Sequence, residues 1–283
     1  MPHLPKVVTE PSEILQIVRA AQREGKRVGL VPTMGALHQG HLSLVESACE
    51  SCDITIVTIF VNPTQFAPGE DFEKYTRKLV SGLANVDDVG ADIVFAPNTD
   101  EIYRQGHSTY VEPPAVSLPL EGKCRPGHFQ GVATIVLKLF LMIPADVAFF
   151  GRKDYQQTLV IRRMVADLNV PMEIVVCPTV REPDGLAMSS RNAYLSSEER
   201  QRSLAIANSL QKAQQLYADG EKSASSVLTE MRRILEKAGI DRIDYVALVD
   251  PETLVDREDL TEPTVALIAA YVGATRLIDN QPL

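Results

Sequence analysis

Val28-Gly29-Leu30-Val31-Pro32-Thr33-Met34-Gly35-Ala36-Leu37-His38-Gln39-Gly40-His41 is the stretch that decides how this chain is read. An apolar run suited to a buried strand breaks at Pro32. A Gly-punctuated turn follows, and His38-x-x-His41 then opens the helical pattern Leu42-Ser43-Leu44-Val45-Glu46-Ser47-Ala48. The first N–H groups of a helix lack intrahelical acceptors and carry partial positive charge, so such an end takes phosphate. Two imidazoles add donors aimed at the same place. The stretch reads as a nucleotide site, against a plainer reading in which both histidines only cap a helix. Two familiar phosphate motifs are excluded. Gly35 to Gly40 has the spacing of G-x-x-x-x-G-K-[ST], but His41 and Leu42 stand where that loop needs Lys and a hydroxyl. No G-x-G-x-x-G follows the strand, so the dinucleotide fingerprint is missing.

Outward from this stretch, β and α patterns alternate. Helices are expected at Pro11–Arg23, Gln39–Cys52, Val80–Val89, Phe129–Ile143 and Lys153–Leu168. Strands are expected at Arg27–Val31, Ile54–Phe60, Asp92–Phe95, Asp146–Phe150 and Glu173–Val176. Such alternation predicts an α/β fold with a parallel sheet covered on both faces, and ligands beyond the carboxyl ends of its strands. After about Val180 the texture changes to two helices, Ser196–Ala218 and Ala224–Ala238, and two strands, Arg242–Val249 and Thr264–Val272. The expectation is a domain spanning residues 1–180 and a smaller α+β domain spanning 181–283.

The chain has 283 residues, 45 % apolar and 23 % charged, with net charge −9, which argues against a non-specific nucleic-acid partner. The N-terminal residues Met1–Lys6 lack the apolar core of a secretory signal. The longest apolar stretch, Val132 to Ile143, is interrupted by Lys138 and too short to span a bilayer. A cytoplasmic enzyme with no membrane partner is expected. Cys49 and Cys52 form a C-x-x-C late in a helix, whereas a redox pair opens one, and no second close pair exists for a zinc ribbon. These cysteines, with Cys124 and Cys177, are expected to serve packing.

Residues with chemical potential cluster after the predicted strands. Asn62, Gln65 and Gln157 are uncharged amides suited to hydroxyls and a carboxylate. Arg125 to Gly131 lies in a long Pro/Gly-rich loop beginning near Pro113. Lys153 opens a helix, where a cation is unfavourable unless an anion sits beside it. Met188-Ser189-Ser190-Arg191 offers hydroxyls and a guanidinium in a Gly185-containing segment able to close over phosphates.

These motifs together resemble the pantoate–β-alanine ligase (pantothenate synthetase) family along nearly the full chain. The stretches that carry the resemblance are Val31–His41, Phe60–Phe66, Arg125–Val132, Phe150–Gln157, Met188–Asn192 and Arg276–Asn280. H-x-G-H alone marks only a nucleotidyltransferase superfamily. The resemblance implies a Rossmann-like first domain, a second domain acting as a lid, a homodimer, and the substrates ATP, pantoate and β-alanine, with Mg2+. It implies that Met34, Gly35, Ala36, Leu37, His38, Gln39, Gly40 and His41 hold ATP, with His41 as proton donor. Gly151, Arg152, Lys153, Asp154, Val180, Met188, Ser189, Ser190 and Arg191 complete that site on the same reading. It further implies that Gln65 and Gln157 hold pantoate; Asn62 is expected as a further substrate-binding amide, and His38, His41 and Lys153 as the catalytic set.

One segment departs from the family pattern. The acidic side chains sometimes implicated in holding magnesium are replaced by Ser81 and Gly82, so no protein metal ligand is expected there. Asp71, Glu73, Asp87 and Asp88 are the neighbouring carboxylates able to compensate. The runner-up reading is nucleotidyl transfer to a phosphorylated acceptor on the same scaffold, whose site should be rich in Arg and Lys rather than amides. A more distant one is a non-catalytic nucleotide-binding regulator.

Overall fold

Two apolar, β-branched strands, β2 (Val28–Thr33) and β3 (Ile54–Ile59), pair in parallel from Val28↔Ile54 to Thr33↔Ile59. Nearly every residue of both is buried, as a strand covered on two faces requires. They lie at the centre of a six-stranded parallel sheet with β1 (Lys6–Val8), β4 (Ile93–Phe95), β5 (Val147–Gly151) and β6 (Glu173–Cys177), in the order β1-β4-β3-β2-β5-β6. The protein is described by a computed structural model covering residues 5–66 and 90–283. The expected helix Val80–Val89 lies outside those residues.

Period-two alternation sorts the side chains onto two faces. Leu30 and Ile56 join one core with α1 (Pro11–Arg23), α3 (His128–Met142) and α4 (Tyr155–Asp167). Val31 and Val57 join another with Leu44, Val45 and Ala48 of α2 (Gln39–Ser51). The N-terminal unit is thus a Rossmann-like α/β layer structure. Contrary to the sequence reading, β2 does not stop at Pro32 but runs to Thr33. Its neighbour β5 pairs only with Gly29 and Leu30, so by Pro32 one side of the strand is open and a missing N–H is tolerated. The sequence reading also missed β1, which at three residues is too short to show a period.

The chain divides into two compact units, residues 1–152 with 156–178, and residues 153–155 with 179–283. In the second unit α5 (Ser197–Ala218) and α6 (Ala224–Lys237) pack on an antiparallel sheet of β7 (Ile243–Val249), β8 (Val265–Val272) and β9 (Thr275–Pro282). Ile206, Leu210, Val227, Met231 and Leu235 meet Val246, Ile268 and Ala270 in its core. Ser196 and Glu199 form a reciprocal capping box that starts α5. Two strands were expected here and three are present. β9 was hidden because its buried residues include Asp279 and Asn280, which break the apolar pattern.

Candidate functional site

The turn after β2 is built by Thr33 and Gly35. Thr33 Oγ1 donates to the Thr58 carbonyl at 2.6 Å and accepts from Gly35 N–H at 3.2 Å. Gly35 has φ +102°, a conformation that other residues rarely adopt. The chain then enters α2 with His38 as N-cap. His38 Nδ1 accepts from Gly40 N–H at 3.1 Å, and His41 Nδ1 accepts from His38 N–H at 3.4 Å. The rings stand 4.2 Å apart between centroids. Because each Nδ1 accepts, the neutral rings carry their protons on Nε2, a tautomer assigned from these partners. The capping reading and the donor reading are therefore compatible, since Nδ1 of each ring caps the helix and the proton sits on the other nitrogen.

Past β3, Asn62 is 1 % exposed and its amide is fully engaged. Its Nδ2 donates to Gln65 Oε1 and to the Gly131 carbonyl, each at 3.1 Å. Its Oδ1 accepts from Thr64 Oγ1 at 3.0 Å and Tyr103 Oη at 2.8 Å. Asn62 is thus a holder of the Pro63–Gln65 turn. Gln65 Nε2 lies 2.9 Å from Met34 Sδ, so the structure brings Gln65 beside the turn after β2. His128 Nδ1 donates to the Gln65 carbonyl at 2.9 Å, while its Nε2 accepts from Arg125 Nη1 at 3.1 Å. Gly131 permits this close approach: a Cβ there would stand 2.5 Å from the Thr64 carbonyl oxygen. His128 to Gly131 form the first turn of α3, which starts one residue before the helix expected at Phe129–Ile143, and short helical turns at Ala115–Ser117 and Glu121–Cys124 occupy the loop before it.

The two adjacent glutamines separate in role. Gln156 is 3 % exposed; its Oε1 accepts from Glu121 N–H at 3.0 Å and its Nε2 donates to Val116 and Pro119 carbonyls. It fixes the segment before α3. Gln157 is half-buried and its side chain takes no hydrogen bond among the described residues.

In the second unit, Lys153 sits in a 3-10 turn, Arg152–Asp154, rather than opening α4 as expected. Its Nζ is 3.4 Å from Asp154 Oδ1. Gly151, which precedes the turn, ends β5 opposite Cys177, and a Cβ there would meet open space. Residues 180–188 are latched: Arg181 and Ala187 form a bridge, Glu182 N–H donates to Leu186 at 2.8 Å, and Met188 N–H donates to Val180 at 3.0 Å. Ser189 caps the 3-10 turn Ser190–Tyr194. Arg200 Nη2 donates to Glu182 Oε2 at 2.7 Å and Asp184 Oδ2 at 2.6 Å, which holds the exposed Asp184 carboxyl below the usual range. Asn192 Nδ2 donates to Glu182 Oε1 at 2.7 Å.

Sequence reasoning missed Asp279 and Asn280, both 2 % exposed. Arg181 forks onto Asp279, with Nη1 to Oδ2 at 2.7 Å and Nη2 to Oδ1 at 3.1 Å. Their only signal was their place in the Arg276–Asn280 stretch. Among the described residues no group of three or more His, Cys, Asp and Glu side chains is placed to hold a metal ion. Asp71, Glu73, Ser81, Gly82, Asp87 and Asp88 lie outside those residues. No helix among the described residues is long and apolar enough to cross a membrane.

Fold and histidine pair define a class: a Rossmann-like α/β protein with H-x-G-H at the helix that follows its central strand. A model of the pantoate-beta-alanine ligase family matches residues 6–282. The chain belongs to the pantoate–β-alanine ligase family and is an enzyme, an acid–amine ligase of pantothenate biosynthesis. It is 52 % identical over 276 residues to pantothenate synthetase 1 of Bradyrhizobium diazoefficiens, covering 97 % of each chain. It is 48 % identical over 275 residues to pantothenate synthetase of Geobacter sulfurreducens, again covering 97 % of each. The crystal structure of pantothenate synthetase from Thermus thermophilus superposes with a TM-score of 0.92 at 42 % identity over 98 % of both chains. That of the Francisella tularensis ligase, complexed with beta-gamma ATP and beta-alanine, gives 0.83 at 33 % identity over 98 % of this chain and 97 % of that one.

Proposed function

We propose that this chain condenses pantoate with β-alanine in two steps driven by ATP. The pantoate carboxylate attacks the α-phosphorus and pyrophosphate leaves, giving pantoyl adenylate. The β-alanine amine then attacks the acyl carbon, releasing AMP and pantothenate. Positioning and charge stabilisation are the protein's part. In this reading Met34 to His41 take ATP, and the Nε2–H groups of His38 and His41 donate to phosphate oxygens, with His41 as proton donor. Lys153 neutralises developing phosphate charge. Gly151, Arg152, Asp154 and Val180 line the nucleotide, and Ser189, Ser190 and Arg191 close over it from residues 181–283, acting as a lid that excludes water from the labile adenylate. Gln65 and Gln157 hold pantoate, with Asn62 fixing Gln65. No described residue is assigned to Mg2+: the ion would be held by ATP phosphates and water, as magnesium commonly is, and would supply neutralisation of phosphate charge. A cytoplasmic homodimer completes the proposal.

The observation that carries it is the double acceptance by Nδ1 of His38 and His41, which commits both rings to donate from Nε2 at a helix N-terminus. The test is exchange of labelled pyrophosphate into ATP with pantoate and magnesium but no amine. Exchange is expected; exchange that appears only with β-alanine would rule out a separate adenylation step.

A further inference from the structure

Lys153 follows β5, a strand of the N-terminal unit, yet residues 153–155 group with the C-terminal unit. Two hydrogen bonds tie these residues to that unit. Asn280 Nδ2 donates to the Lys153 carbonyl at 2.9 Å, and Tyr155 Oη donates to the Pro251 carbonyl at 2.9 Å. The first acts on Lys153 itself and the second on the residue two positions along.

Asn280 is itself firmly held. It is buried on β9 opposite Leu267 of β8, a strand buried along nearly its whole length. Its own N–H donates to Asp279 Oδ1 at 2.8 Å, and the Arg181 guanidinium, forked onto Asp279, also donates to the Asn280 carbonyl at 3.3 Å. The same guanidinium donates to the Gly185 carbonyl at 3.0 Å. One dipeptide, Asp279-Asn280, therefore fixes two separate segments: the Lys153 turn, and the hairpin that leads into Met188–Arg191. A lysine ammonium rides on a flexible four-carbon stem, so its position in a reaction depends on how well its backbone is held.

We propose that Asn280, seconded by Tyr155, is a positioning residue for adenylation, acting by clamping the backbone of Lys153. The inference rests on the reading that Lys153 stabilises phosphate charge. Asn280→Asp keeps the side-chain shape but has no amide N–H to donate. It should lower kcat for pantoate-dependent pyrophosphate exchange about ten- to a hundredfold, as for a misplacement near 1 Å, with KM for ATP held within about threefold. In a Lys153→Ala background the same substitution should cost nothing further, because the group it positions is gone. A purely structural role would instead multiply the two losses. Multiplying losses, or wild-type exchange by folded Asn280→Asp, overturn the tether and leave Lys153's own role standing. Normal exchange by Lys153→Ala alone overturns that role, and this inference with it. Should Asn280→Asp fail to fold, Tyr155→Phe decides the matter: a loss of about threefold or more that vanishes in the Lys153→Ala background supports the clamp, and no loss or a multiplying one overturns it.

Discussion

His38 and Lys153 carry the same kind of task in the proposed reaction and are built in opposite ways. The histidine pair is local. Two residues three apart fall on one helical turn, and each is oriented by a backbone N–H of that turn. Lys153 is held by an amide 127 residues further along the chain. A helix turn builds the first arrangement with little help from outside, whereas the second exists only after β7, β8 and β9 have assembled.

The comparison breaks most visibly through the catalytic groups. His41→Ala and Lys153→Ala are each expected to lower single-turnover adenylation by about two to three orders of magnitude, as for loss of a preorganised charge stabiliser. Near-normal adenylation by either would remove that member from the pair. Stability should separate the two regions next. Arg181→Ala strands the Asp279 carboxylate, whose side chain is 1 % exposed. Breaking a buried ion pair costs about 3–5 kcal/mol, and because Arg181 is itself 28 % exposed we expect about 2–3 kcal/mol by urea unfolding. His41→Ala, in a half-buried turn where the ring accepts from His38 N–H at 3.4 Å, should cost well under that. Equal losses would mean the remote network is no more structural than the local cap.

A smaller effect concerns the amides of the N-terminal unit. Gln157→Ala should raise KM for pantoate by about two- to twelvefold, the worth of one net hydrogen bond, and leave KM for ATP alone. A selective fall in ATP affinity would move Gln157 out of the acid site. Gln156→Ala is the contrast: it strands Glu121 N–H and two carbonyls, so thermal denaturation should show the loss before kinetics does.

The smallest effect tests whether closeness in sequence by itself makes a site. Cys49 and Cys52 are neighbours, but Cys49 Sγ donates to the Gly90 carbonyl at 3.4 Å and Cys52 packs over Gly29. Burial pushes the Cys52 and Cys177 thiols up, so at pH 8 each has less thiolate than an ordinary cysteine. Iodoacetamide should therefore label the exposed Cys124 before Cys52 and Cys177, as read by peptide mass spectrometry. Cys49→Ser is expected to keep exchange within about twofold, the scale of a surface substitution.

Much of the fold was legible because periodicity survives in long elements. Pro11–Arg23 was read to the residue, and the five strands of the alternating region were placed within a residue or two where the structure describes them. The failures have physical causes. β1 is too short to show a pattern, and β9 buries an Asp and an Asn that are paired with a remote Arg and a remote carbonyl. Adjacent glutamines look alike in sequence, yet one satisfies three backbone groups and the other none among the described residues.

By itself the sequence determined the alternating α/β order, the turn after the central strand, and the histidines at the helix that follows. Each depends on side-chain period, a single glycine or a spacing of three, all set within a few residues. Tertiary structure alone decided which polar side chains are spent internally. It commits Asn62 to the Gly131 carbonyl, Gln156 to the segment before α3, and Asn280 to the backbone of Lys153. A hydrogen bond between groups far apart in the chain leaves no periodic trace, because only the folded sheet brings donor and acceptor within about 3 Å.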